Sequence, residues 1–156
     1  MCKFKTADFY YGAALSMLLN HGITPKLFEN TANRRIYRVT TDNSKFNLLL
    51  KYRSNKYINS GNYSGWSFSV TEDKDLLEDY IKKGEKFYVA LICGDDNPSD
   101  SRLVFLDPND VQQLFANNKS TFAITIRKGE RFFRIPKNNR RDEGIKIKCD
   151  RFAELL

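Results

Sequence analysis

Several absences narrow the possible classes of protein before any motif is considered. No stretch approaches the roughly 18–20 consecutive apolar residues that cross a bilayer, so we expect no membrane-spanning segment. The three cysteines are an odd number without metal-binding spacing, and the single histidine lies in no recognisable nucleophile motif. No phosphate-binding glycine loop and no GxGxxG motif are present. We therefore expect neither a metal site nor a bound cofactor.

The N-terminal segment is the place where a signal peptide has to be considered. Lysines precede an apolar stretch from Tyr10 to Leu19, but Asp8 and two tyrosines interrupt it. No small-residue cleavage site follows, so we interpret the segment as an amphipathic helix of the mature domain. Because the cysteines are few and scattered, we expect a reducing, cytoplasmic location.

Charge is segregated along the chain. Residues 1–60 contain ten Lys/Arg against three Asp/Glu, residues 61–118 five against eleven, and residues 119–156 eleven against five. If the two basic ends meet in the fold, they form a positive surface that attracts a phosphate backbone or an acidic protein. The charge pattern thus indicates two kinds of partner without deciding between them.

Length and composition predict one globular domain. The 156 residues are 41% hydrophobic and 13% aromatic, which is typical of a folded chain with a core. We predict a single domain over 1–156, with a core over 1–118 followed by a basic hairpin and a C-terminal strand over 119–156.

Hydrophobic periodicity predicts a few helices among many strands. The first part of the chain is expected to contain a helix from its cap Thr6 to Asn20, strands over 24–29, 34–40 and 45–53, and a loop over 55–65. The second part is expected to contain strands Trp66–Val70, Phe87–Cys93 and Arg102–Leu106, a helix from Thr71 to Gly84, a helix from Asp107 to Phe115, a hairpin over 121–135 and a strand Ile145–Cys149. This order predicts an α+β fold with one mixed, mostly antiparallel sheet covered by two or three helices.

The element order resembles the core of the restriction-endonuclease-like PD-(D/E)XK nucleases, in which a helix precedes a three-strand meander, a helix and further strands. The resemblance covers about residues 6–115. The segment Phe46-Asn47-Leu48-Leu49-Leu50-Lys51 is similar to the third core strand of that family and places Lys51 at the position of its lysine. The resemblance implies a degenerate core of this type.

The metal-binding acids of that family are missing. Such nucleases hold Mg²⁺ with an acid on one strand and a second acid two residues before the lysine, which puts acid and lysine on one strand face. Leu49 occupies the position of the second acid, two residues before Lys51. The partner strand has Arg38 rather than an acid, and the nearest acid is Asp42 in the turn. The resemblance therefore implies a fold, with Lys51 as a relic or a phosphate contact.

Basic and aromatic residues interleave in two stretches, 34–57 and 127–141. Lys and Arg neutralise phosphates, and an exposed Tyr or Phe can stack on a base. From these stretches we select the candidate phosphate contacts Lys51, Arg53, Arg127, Arg131 and Arg134. The alternative is that these residues form solvated faces or edge strands that cationic side chains protect from aggregation.

Three functional hypotheses follow. The first is a small, non-enzymatic protein that binds nucleic acid through its basic strands. The second is a protein-interaction module, such as an inhibitor or immunity-type protein, that docks an oppositely charged protein. The third is a divergent Mg²⁺ nuclease that recruits acids such as Asp42 and Glu29. The acidic loop 95–100 lacks EF-hand spacing, and we interpret it as a turn.

Overall fold

Helices and strands follow one another in a single α+β domain, as the sequence predicts. A computed structural model describes residues 3–30, 34–41, 44–117, 120–137 and 144–151. Its α-helices are α1 (Thr6–Asn20), α2 (Lys74–Lys83) and α3 (Pro108–Phe115). Its strands are β1 (Thr24–Asn30), β2 (Arg35–Thr40), β3 (Lys45–Arg53), β4 (Ile58–Asn59), β5 (Tyr63–Ser69), β6 (Phe87–Cys93), β7 (Arg102–Leu106), β8 (Thr121–Arg127), β9 (Phe132–Ile135) and β10 (Ile145–Lys148).

The strands divide between two five-stranded sheets, where the sequence had suggested one. The first sheet has the order β1-β2-β3-β6-β7 and is antiparallel except between β3 and β6. The second has the order β10-β9-β8-β5-β4 and is antiparallel. Strands β3 and β6 can be parallel because the chain passes through β4, β5 and α2 between them. This connection is long enough to return the chain to the end of the sheet at which β3 begins.

Two apolar clusters hold these layers together. The larger one joins the two sheets and includes Leu49 of β3, Trp66 of β5 and Leu77 of α2, with further residues from α3. The smaller one lies on the opposite face of the first sheet, where Leu18 of α1 contributes. Strand β6 is buried at every position, which confirms the predicted central strand covered on both faces.

The C-terminal basic block belongs to the second sheet. Strand β8 pairs with β5 from Tyr63↔Arg127 to Ser69↔Thr121, and β9 and β10 extend the sheet from there. The hairpin predicted over 121–135 is confirmed as β8 and β9. Strands β8, β9 and β10 thus share a sheet and a core with β5, which lies within the predicted 1–118 core.

Some predicted helix ends are corrected. Thr71 does not cap α2, because the backbone N–H of Asp73 donates to Val70 O (3.1 Å) and residues 71–73 form a turn. Asp73 is the N-cap, and Gly84, with φ 69°, ends the helix as predicted. Similarly, Lys5 rather than Thr6 occupies the N-cap of α1.

The loop predicted over 55–65 is wrong in part. The backbone N–H of Tyr57 donates to Gly65 O (2.9 Å), and Ile58 pairs with Gly65, so this polar segment forms β4 and the start of β5. By contrast, the predicted start of α3 is confirmed, since the Asp107 and Asp110 carboxylates each accept the other's backbone N–H at 2.9 Å. In the described part of the chain, no helix has the length and apolarity needed to cross a membrane.

Candidate nucleic-acid interface

The two faces of the second sheet differ sharply in composition. One face is apolar and belongs to the core between the sheets, with Trp66, Phe122 and Phe133 among its residues. The other face, which we call the outer face, combines cations with two aromatic rings. Its cation-bearing part comprises Tyr63, Gly65, Thr125, Arg127, Phe132, Arg134, Lys146 and Lys148, of which Gly65 and Thr125 are buried. Small residues of β5 and β8 continue the same face: Ser67, Ser69, Thr121 and Ala123.

Strand register aligns the outer face into two rows that run across the sheet. Tyr63 pairs with Arg127, and Phe132 pairs with Lys148. Because Thr125 pairs with Arg134, the same antiparallel register puts Arg127 beside Phe132. The first row therefore reads Tyr63, Arg127, Phe132, Lys148, and the second reads Gly65, Thr125, Arg134, Lys146.

Each aromatic ring of the outer face has a cation against it. The Arg127 guanidinium carbon lies 5.1 Å from the centre of the Tyr63 ring, and its Nε donates to the Tyr63 hydroxyl. The Phe132 ring has the Arg134 guanidinium at 5.2 Å and Lys146 Nζ at 5.0 Å. These distances are within the range of cation–π attraction, so rings and charges are held close together.

An acid in the β8–β9 turn orients the two arginines. Glu130 Oε1 lies 3.4 Å from Arg134 Nη2 and 3.8 Å from Arg127 Nε. Its Oε2 is buried and has no hydrogen-bond partner among the described residues. The two rows themselves, whose residues are all described, contain four cations and no acid, so the rows are cationic.

The exposure of these side chains is graded across the sheet. Lys146 and Lys148 on β10 are exposed, whereas Tyr63, Arg127, Phe132 and Arg134 are half-buried. Arg131 lies in the β8–β9 turn and is exposed. The exposed cations therefore lie on β10, at one side of the outer face, and the rings and both arginines are half-buried.

Lys51 lies elsewhere, in a buried ion-pair cluster. It is 8% exposed, and its Nζ lies 2.5 Å from Oδ2 of Asp73, a residue with no exposed surface. Arg34 Nη1 approaches Oδ1 of the same carboxylate at 2.8 Å. The register of β2 and β3, in which Arg35 pairs with Leu50, makes Arg34 the cross-strand neighbour of Lys51. Asp73, at the start of α2, thus balances Lys51 of β3 and Arg34, which immediately precedes β2.

The five predicted phosphate contacts are therefore split between the sheets. Lys51 and Arg53 lie on β3, where Arg53 is exposed and borders a pocket of about 270 Å³ with Lys51 and Glu72. Arg127 and Arg134 lie on the outer face of the second sheet, and Arg131 lies in the turn between their strands.

Three charged or aromatic members of the outer face, Lys146, Lys148 and Tyr63, lie outside the two basic and aromatic stretches selected from the sequence. Lys146 and Lys148 were signalled by the alternation Ile145-Lys146-Ile147-Lys148, which places isoleucines inward and lysines outward. Tyr63 lies in the segment predicted to be a loop, and no local pattern connects it to Arg127, which lies 64 residues later.

The residues that bear on metal-dependent chemistry are only partly described. Leu49, at the position of the family's second acid, is buried in the core between the sheets. Asp42 and the Glu29 side chain lie outside the described part of the structure. Among the residues that are described, no group of three or more His, Cys, Asp or Glu side chains could hold a metal ion.

Comparisons of the chain with protein-family models, with curated proteins and with solved structures find no match. The resemblance to PD-(D/E)XK nucleases therefore stays a prediction.

Proposed function

We propose that this protein binds single-stranded nucleic acid on the outer face of the second sheet and catalyses no reaction. The observation that carries the proposal is the first row, in which aromatic and cationic side chains alternate across four strands. Cations neutralise phosphates, and planar rings accept bases by stacking, so a surface that alternates the two matches a strand with unpaired bases.

The position of the arginines argues against simple protection from aggregation. Lysines on an exposed edge strand commonly prevent sheet-to-sheet pairing, and Lys146 and Lys148 on β10 fit that description. Arg127 and Arg134 do not, because β8 and β9 have neighbours on both sides. Protection of a sheet edge therefore does not explain the arginines on these interior strands, whereas phosphate binding does.

A single strand suits this surface better than a duplex. The rings of Tyr63 and Phe132 are half-buried in the sheet face, so bases have to reach them. Bases of a duplex are stacked and paired, whereas those of a single strand can turn toward a protein surface. Arg127, Arg134, Lys146 and Lys148 would then contact the phosphates that flank each stacked base.

The test is fluorescence anisotropy with labelled single- and double-stranded DNA and RNA at two salt concentrations, after copurified nucleic acid has been removed. We expect the single strands to bind more tightly and to weaken steeply with salt. The variant Lys146→Ser/Lys148→Ser should bind less tightly, and the salt slope should fall by about 0.7 for each lost phosphate contact.

The matched control is Lys82→Ser/Lys83→Ser, which removes the same charge from exposed positions on α2. Equal effects of the two double variants, or binding that is insensitive to salt, would overturn the proposal. A parallel gel with Mg²⁺ tests the nuclease alternative, for which cleavage lost in Lys51→Ala is the expected result.

A protein-interaction role is the second candidate because of the exposed surface of α1. Phe4 is 79% and Phe9 68% exposed, and a groove of about 500 Å³ lies beside α1, lined by Ala13, Met17 and Leu103 among others. Exposed apolar patches of this kind mark interaction surfaces. A partner recovered from nuclease-treated lysate by the unmodified protein and lost with Phe9→Ser would support this role.

A further inference from the structure

A polar pocket of about 620 Å³ opens at the end of the first row of the outer face. Three turns line it: the β4–β5 turn, the β8–β9 turn and the loop between β6 and β7. The backbone N–H of Lys128 donates to Asn62 O (2.9 Å), which joins the first two turns directly. The volume is within the usual range for pockets that bind small ligands.

The lining of this pocket favours an anion. Four cationic side chains, Lys56, Arg102, Arg127 and Lys128, face two acids, Asp95 and Asp100. Asn62 and four serines add neutral hydrogen-bond donors. Apolar ligands gain little from such a lining, whereas a phosphate group can accept from both the cations and the hydroxyls.

Individual contacts indicate which cations remain available. Lys56 is committed to Asp95, with 2.6 Å between Nζ and Oδ2, and this hydrogen bond lowers the pKa of the Asp95 carboxyl. Lys128 is exposed and forms no ion pair within the described part of the chain. The acid thus fixes the position of Lys56, and Lys128 contributes a charge that no described acid neutralises.

The pocket and the outer face have two residues in common. Tyr63 and Arg127, the first two members of the first row, also line the pocket. A nucleic-acid strand that lies along the row would therefore come close to the pocket at its Tyr63 end.

We infer that this pocket binds a terminal phosphate of the nucleic acid, an inference that rests on the proposed function. The protein should therefore prefer strands with phosphorylated ends. A terminal phosphomonoester carries about −1.5 to −2 charges at neutral pH, more than the single charge of an internal diester. It also offers three oxygens to donors, so a concave, cationic pocket distinguishes it from the rest of the strand.

The experiment measures anisotropy with one single-stranded sequence in four forms: with a 5′-phosphate, with a 3′-phosphate, with hydroxyls at both ends, and circularised. One phosphorylated form should bind about tenfold more tightly than the hydroxyl and circular forms, as one added charge-assisted hydrogen bond gives. The phosphorylated form with the higher affinity identifies the end of the strand that the pocket binds.

Two variants separate the pocket from the outer face. Lys128→Ser should abolish the preference, so that the linear forms bind with the same Kd. Lys146→Ser/Lys148→Ser should weaken binding of every form and keep the preference. Equal Kd values for all forms with the unmodified protein overturn the inference alone, and absence of binding by any form overturns the proposed function and the inference with it.

Discussion

Nζ of Lys51 lies 2.5 Å from Oδ2 of Asp73, and both residues are buried. The lysine that the sequence marks as a phosphate contact thus has an internal partner, and Arg34 approaches the other oxygen of the same carboxylate. A buried charge that lost its counter-ion would be far more costly than an exposed one. The cluster therefore links β2 and β3 of the first sheet to the start of α2, and its primary role is structural.

Asp73→Asn should lower the free energy of unfolding by about 3–5 kcal/mol, because it leaves the buried Lys51 charge without a partner. The measurement is urea denaturation followed by circular dichroism. The control is Asp79→Asn, which breaks an exposed pair with Lys83 (3.0 Å) and should cost less than about 1 kcal/mol. Equal losses for the two variants would contradict the structural role of Asp73.

Lys51→Met should reduce stability less than Asp73→Asn does, because Arg34 still neutralises the carboxylate. At a temperature where the variant is folded, its affinity for single-stranded nucleic acid and its salt slope should match those of the unmodified protein. A fall in affinity as large as that of Lys146→Ser/Lys148→Ser would show that Lys51 contacts the ligand after all.

Phe132→Leu should weaken binding by about 1–3 kcal/mol, since leucine has no ring on which a base can stack. The salt slope should stay the same, because no charge has been removed. Anisotropy at two salt concentrations gives both quantities. Phe9→Leu, at an exposed position on α1, makes the same chemical change and should leave affinity unaltered.

Tyr11 predicts a specific response to alkaline pH. Its hydroxyl is buried without a hydrogen-bond partner among the described residues, and burial raises its pKa to about 12 from an ordinary value of 10.0. Between those values the unfolded chain releases a proton that the folded chain keeps, so the stability contributed by the neutral hydroxyl is lost as the pH rises.

Tyr11→Phe should therefore be neutral or stabilising at pH 7, because the phenylalanine leaves no polar group unsatisfied. From pH 10 upward it should lose stability less steeply than the unmodified protein. Denaturation midpoints across this range provide the measurement. Identical pH dependence of the two proteins would mean that the Tyr11 hydroxyl is not held neutral by the fold.

Gly94→Ala should destabilise the fold by about 1–3 kcal/mol through overpacking. A Cβ at this position would lie 2.7 Å from Arg53 O and 2.5 Å from the Tyr10 hydroxyl, and the backbone oxygen cannot move freely. Gly61→Ala is the control, because nothing lies within 4 Å of its Cβ position. If thermal unfolding gave equal midpoints for both variants, the close packing around Gly94 would be refuted.

Local patterns were sufficient to predict much of the fold. The continuous apolar run of β6 predicted a strand buried on both faces, and the Asp107-Pro108 start predicted α3, because both signals lie within a few consecutive residues. The division into two sheets could not be predicted in this way. Alternation indicates which residues share a face of a strand, but not which strand lies next to it.

The candidate interface shows the same limit. Arg127 and Arg134 could be selected from their own stretch of sequence, since basic and aromatic residues interleave there. Their alignment with Tyr63 depends on the pairing of β8 with β5, which is distant in sequence. The burial of Lys51 likewise depends on Asp73, 22 residues later on another element.

The most direct test of the central claim is a nuclear magnetic resonance titration of the labelled protein with a short single-stranded oligonucleotide. We expect the largest amide shifts along β8, β9 and β10, with Arg127, Phe132, Arg134 and Lys146 among the residues affected and β1 and β2 unchanged. Two results would contradict the assignment of the outer face as the binding surface. One is shifts confined to α1 or to β3, and the other is no shifts at oligonucleotide concentrations that would saturate a typical single-strand-binding protein.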